Sequence, residues 1–149
     1  MVYKFRLISN EVKGFMRDIE ILSDQYFYDF HSTLSKDFHY DSTHLASFFI
    51  SDENWGKMQE ITLFDFSEGT AKNVNLMDKC ILKDFVSKKG DRLLYIFDHF
   101  NERLMFLELM ETHETEKDHK YPRVCLSLLS PPPQILILDT NFDDLEFDE

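Results

Sequence analysis

The residues best suited to chemistry in this sequence are His31, Asp41, His44 and Asp98. Imidazole and carboxylate side chains are the usual partners in general acid/base catalysis and in metal binding, so together they define a candidate catalytic cluster. Each also has a plainer reading. His31 falls beside Phe27 and Leu34 at helical spacing, which suits a core histidine. Asp41 opens Asp41-Ser42-Thr43-His44, where a carboxylate can bond backbone groups two residues on and make a turn. No H-E-x-x-H or paired C-x-x-C run is present, so no metal or other cofactor is expected. His39, His99, His113 and His119 have no ligand spacing and read as surface or loop residues. Gly14, Gly56, Gly69 and Gly90 build no G-x-S-x-G elbow, Walker-type loop or dinucleotide turn, which disfavours nucleotide hydrolysis and dinucleotide redox chemistry.

The elements that must position these residues are mostly strands. Val2 to Ser9 alternates, with Tyr3, Phe5 and Leu7 opposite Lys4 and Arg6, and Arg17 to Ile21 alternates again to complete a hairpin-like pair. Phe27, Phe30, Leu34 and Phe38 mark the main helix, expected from about Gln25 to Asp37 with Ser23 or Asp24 as its cap. Leu45 to Ser51 and Glu60 to Phe66 read as strands, and Ile81 to Ser87 as a brief helix ended near Gly90. Leu93 to Phe97 and Leu104 to Met110 are almost continuous apolar runs, expected as neighbouring central strands covered on both faces. His113 to Lys120 reads as a solvated loop and Val124 to Leu129 as a last strand. Pro131-Pro132-Pro133 then stiffens the exit, and Ile135 to Leu138 must dock back on the domain or meet a partner. The expected fold class is α+β: a largely antiparallel sheet with one main helix and one or two short ones.

Composition sets the outer bounds. A chain of 149 residues with 43% hydrophobic residues, including 15 Phe, 6 Tyr and 1 Trp, can bury one core without disulfides. Residues 1–138 read as a single domain. Cys80 and Cys125 are far apart in sequence and are expected as reduced thiols. Lys4, Arg6, Glu11 and Lys13 interrupt the first apolar stretch, so neither a signal h-region nor a membrane span is expected, and the expected location is cytoplasmic. The formal charge is -12. Residues 139–149 read as an acidic tail, expected to be flexible, holding Asp139, Asp143, Asp144, Glu146, Asp148 and Glu149 without a base, yet the remainder is still acidic. Phosphate backbones would be repelled, so direct nucleic-acid binding is not expected. Phe142, Leu145 and Phe147 interleave with the tail's acids and could dock on a basic protein partner; the plainer reading is a solubilising terminus.

Several stretches also resemble the plasmid pRiA4b open-reading-frame-three-like (Orf3-like) family. Asp29-Phe30-His31 is similar to its D-L-H helix motif, and Phe38-His39-Tyr40 through His44-Leu45 to its F-G-W-x-x-x-H-L turn. Tyr95 to Asn101 resembles its Y-x-Y-D-F-G-D strand and turn, and Tyr121-Pro122-Arg123 through Pro131-Pro132-Pro133 its P-R-x-x-x-G-x-x-x-P-P segment. His31, Asp41, His44 and Asp98 all lie inside these stretches. Phe100 and Asn101 replace the family's Gly and Asp, Arg103 stands where Trp is frequent, and Ser127 replaces Gly, the marks of a divergent branch. The resemblance implies helices against a largely antiparallel sheet and no assigned reaction, its members resembling passenger genes of plasmids and insertion elements. The expectation is therefore a non-enzymatic accessory or protein-interaction module. The alternatives are a small metal-dependent or acid/base enzyme using His31, His44 and Asp98, or a regulator acting near nucleic acid.

Overall fold

A computed structural model describes residues 1–67 and 73–136. The acidic and aromatic segment from Asp139, with Ile137 and Leu138, lies outside them. Alternation becomes strand as expected in β1 (Val2–Ser9) and β2 (Met16–Leu22), followed by helix α1 (Phe27–Phe38). After these come β3 (Ser47–Ser51), β4 (Lys57–Thr62), β5 (Arg92–Asp98), β6 (Arg103–His113) and β7 (Arg123–Leu128). The seven strands form one sheet in the order β4-β3-β5-β6-β1-β2-β7, and every neighbouring pair is antiparallel.

Helix α1 lies on one face of this sheet because its apolar side chains recur every three or four residues. Phe27, Phe30, Leu34 and Phe38 are all buried, and Phe48 of β3 sits among Phe27, Phe30 and Tyr95 with ring centroids 4.9 to 5.3 Å away. The helix starts later than its sequence suggests. Residues 23–25 turn, and the segment is tied to the 81–83 stretch: Lys83 N–H donates to Ser23 O, Leu82 N–H to Gln25 O, and Tyr26 bridges Ile81. Tyr26, rather than Ser23 or Asp24, is therefore the N-cap residue, and its N–H donates to the Asp29 carboxylate at 2.9 Å. The helix ends on His39 in the left-handed region (φ 60°), with His39 N–H on Lys36 O and Tyr40 N–H on Ser35 O.

Three other expectations change. The strand expected over Glu60 to Phe66 begins earlier and stops at Thr62, as β4, because Asp65 turns the chain by accepting the Ser67 N–H. The short helix expected over Ile81 to Ser87 is a single 3-10 turn, Leu82–Asp84, so the described residues contain fewer helices than expected. Leu93 to Phe97 of β5 are buried on both faces, but β6 is covered on one only: Met105, Leu107 and Leu109 are buried, while the alternating Leu104, Phe106, Glu108 and Met110 are half-buried. On this second face the turn around Trp55 gives partial cover, its ring meeting Phe106 at 5.1 Å and lying under the Arg92 guanidinium.

After β7 the chain docks back on the domain through residues 129–134. Arg17, buried on β2, donates to the carbonyls of Leu128 and Leu129, and Tyr40 donates to Pro132 O at 2.6 Å.

Candidate functional site

The four candidate residues separate into two places. His31 is in the core at 1% exposure, with Nε2 2.9 Å from Ser42 O and Nδ1 2.8 Å from the Tyr95 hydroxyl. A carbonyl only accepts, so the ring proton sits on Nε2 and Nδ1 accepts from Tyr95. Burial pushes the His31 pKa down against the opposing effect of the Ser42 carbonyl, and the ring is neutral at pH 7. Both ring nitrogens are thus occupied in tying α1 to β5 and to the turn after the helix.

Asp41 and His44 lie on that turn, Asp41 exposed and His44 half-buried. Asp41 accepts from Thr43 N–H at 2.9 Å and Thr43 Oγ1 at 2.6 Å, and these bonds lower its pKa; His44 Nε2 is 3.5 Å from its other oxygen. Asp98 ends β5. Burial raises its carboxyl pKa, but hydrogen bonds from the Asn101 side chain and backbone and from Arg103 outweigh this and hold it below the ordinary value.

Arg103 joins these pieces. It is 7% exposed, and its guanidinium lies 4.7 Å from the Phe97 ring centroid. Its nitrogens donate to Glu11, to Asp98, to Pro133 O at 2.7 Å and to Gln134 O at 3.0 Å. The Gln134 side chain in turn accepts from Asp41 N–H and donates to Asp41 O. The turn after α1, the β5–β6 turn and the proline segment are therefore fastened to one another. Between them lies a concavity of about 730 Å³, lined by His44, Leu45, Asp98, His99, Phe100 and Ile135 among others. His44 and Asp98 meet here and His31 does not.

His99 is the residue that sequence reasoning passed over. Its Nε2 is 3.0 Å from Ser47 Oγ, and Ser47 Oγ is 2.7 Å from Glu60 Oε2. Burial lowers the His99 pKa, with Glu60 pulling the other way. The only sequence signal was its place beside Asp98 in Tyr95 to Asn101, because its partners Ser47 and Glu60 come from distant strands. Among the described residues, no group of three His, Cys, Asp or Glu side chains could hold a metal ion. No helix of the described residues is long and apolar enough to cross a membrane.

The histidines give a pH prediction. His31 and His99 have folded-state pKa values below the ordinary 6.5, so their contribution to stability is present above that value and is lost as pH falls. His113 acts in the opposite sense: its bonds to Glu114 O and to Glu20 raise its pKa, and its contribution fades as pH rises. With fully buried His31 and half-buried His99 acting against half-buried His113, the urea midpoint is expected to fall between about pH 7.5 and about pH 5. In His31→Gln the fall should shrink; an unchanged slope would show that His31 is not held neutral.

No curated protein matches the sequence. Among solved structures, the fold is similar to that of a protein of unknown function, MM3350, from Methanosarcina mazei Go1. The TM-score is 0.67 at 18% identity, over 85% of this chain and 68% of that one. The sequence matches the plasmid pRiA4b ORF-3-like proteins over residues 3–134, a span that takes in the turn after α1, the β5–β6 turn and the proline segment that Arg103 fastens together. The chain belongs to the plasmid pRiA4b ORF-3-like family.

Proposed function

We propose that this chain is a non-catalytic recognition module that docks a protein partner on the concavity between the turn after α1, the β5–β6 turn and residues 134–136. The observation that carries this reading is the apolar rim: Phe100 is 95% exposed and Ile135 58% exposed beside a concave surface. Exposed aromatic and aliphatic side chains around a depression are the usual anchors of protein contacts. The formal charge of -12, to which the acidic residues of 139–149 contribute, favours a basic partner.

An acid/base enzyme is the second reading, supported by the presence of His44, His99 and Asp98 around one concavity. It is weaker because Asp98 is engaged by Asn101 and Arg103, and His44 by Asp41.

The docking reading is tested by placing photoreactive benzoylphenylalanine at Phe100 in host cells, with Met58 as an exposed control on β4. A defined adduct from Phe100 and none from Met58 is expected. No adduct, or the same adducts at both positions, would count against docking.

A further inference from the structure

The proton inventory around His99 specifies what the concavity can receive. Glu60, as a carboxylate, only accepts, so Ser47, fully buried, gives its single hydroxyl proton to Glu60. Ser47 Oγ must then accept from His99, which places the ring proton on Nε2. Nδ1 keeps its lone pair and has no hydrogen-bond partner among the described residues. Burial, which lowers the His99 pKa, keeps that lone pair available at pH 7. The same concavity is walled by Leu45, Phe97, Phe100 and Ile135.

We infer that the concavity receives a partner's aromatic side chain that ends in a hydrogen-bond donor, with an indole N–H as the best match to His99 Nδ1. This rests on the docking reading. An indole supplies a flat apolar body and a donor with no acceptor. A carboxylate brings no proton and meets an acidic chain, and an ammonium would trade its hydration for largely apolar walls and an Asp98 carboxylate already held by Asn101 and Arg103. Basic residues flanking the indole fit the net charge of -12.

The test titrates full-length protein with a short Lys-Trp-Lys peptide and with the same peptide methylated on the indole nitrogen, following backbone and imidazole signals by NMR. The unmethylated peptide should shift Phe100 and His99 signals and bind about fivefold to tenfold tighter, the effect of one hydrogen bond. In His99→Phe the two peptides should bind alike. Equal binding to the unaltered protein, or saturation by neither, overturns the donor assignment, whereas the docking reading fails separately, on a missing Phe100 adduct. Free N-acetyltryptophanamide binding as tightly as the peptide would make this a small-molecule site instead. Cavity signals that move on dilution, or in Phe142→Ser without peptide, would assign the surface to a second copy or to the chain's own tail, and either result overturns the inference.

Discussion

Replacing Phe48 by alanine is expected to lower the unfolding free energy by about 3–5 kcal/mol, the usual cost of truncating a buried phenylalanine. Phe48 is fully buried, and rings from α1 and β5 surround it: Phe27, Phe30 and Tyr95. Those neighbours belong to different elements and cannot all close on the space left. Phe48→Leu keeps most of the volume and should cost under about 2 kcal/mol. Urea unfolding with an unchanged slope reads both. Equal losses in the two variants would mean that the ring itself, rather than the space it fills, matters.

Arg103→Ala should follow at about 2–4 kcal/mol, the range for removing one partner of a mostly buried ion pair, reduced because Glu11 is partly exposed. The loss leaves Asp98, Pro133 O and Gln134 O without their shared donor. Arg103→Lys should recover less than half, since one ammonium cannot span acceptors that a planar guanidinium reaches from several nitrogens. The Phe100 adduct should weaken in Arg103→Ala, because the residue fastens the walls of the concavity. A loss below about 1 kcal/mol would show that water replaces Arg103 at these acceptors.

The local patterns were legible in the sequence. Alternation located β1 and β2, the Phe27, Phe30, Leu34 and Phe38 spacing located α1, and the apolar runs at 93–97 and 104–110 located two adjacent strands near the middle of the sheet. What escaped depended on contacts between distant residues. The helix start was shifted by pairing of residues 23–26 with 81–83, which no cap rule anticipates. The half-exposed face of β6 could not be read from a run of apolar residues, since composition does not say which face a helix covers. Of the candidate site residues, Asp98 and His44 line one concavity, Asp41 lies on the adjoining turn, and His31 has the core role that its helical spacing also allowed. His99 was missed because Ser47 and Glu60, which fix its ring proton, lie on other strands.

Strand β1 lies between β2 and β6, pairing Val2 with His113 and Ser9 with Met105. During synthesis the β1–β2 hairpin therefore waits for nearly the whole domain before its second neighbour exists. Contacts of such long sequence separation fold slowly, since a large loop must close before they repay its entropy. In the interval β1, with its apolar Tyr3, Phe5 and Leu7, keeps the open edge that β6 later pairs, and a nascent chain in that state is a natural client for a chaperone.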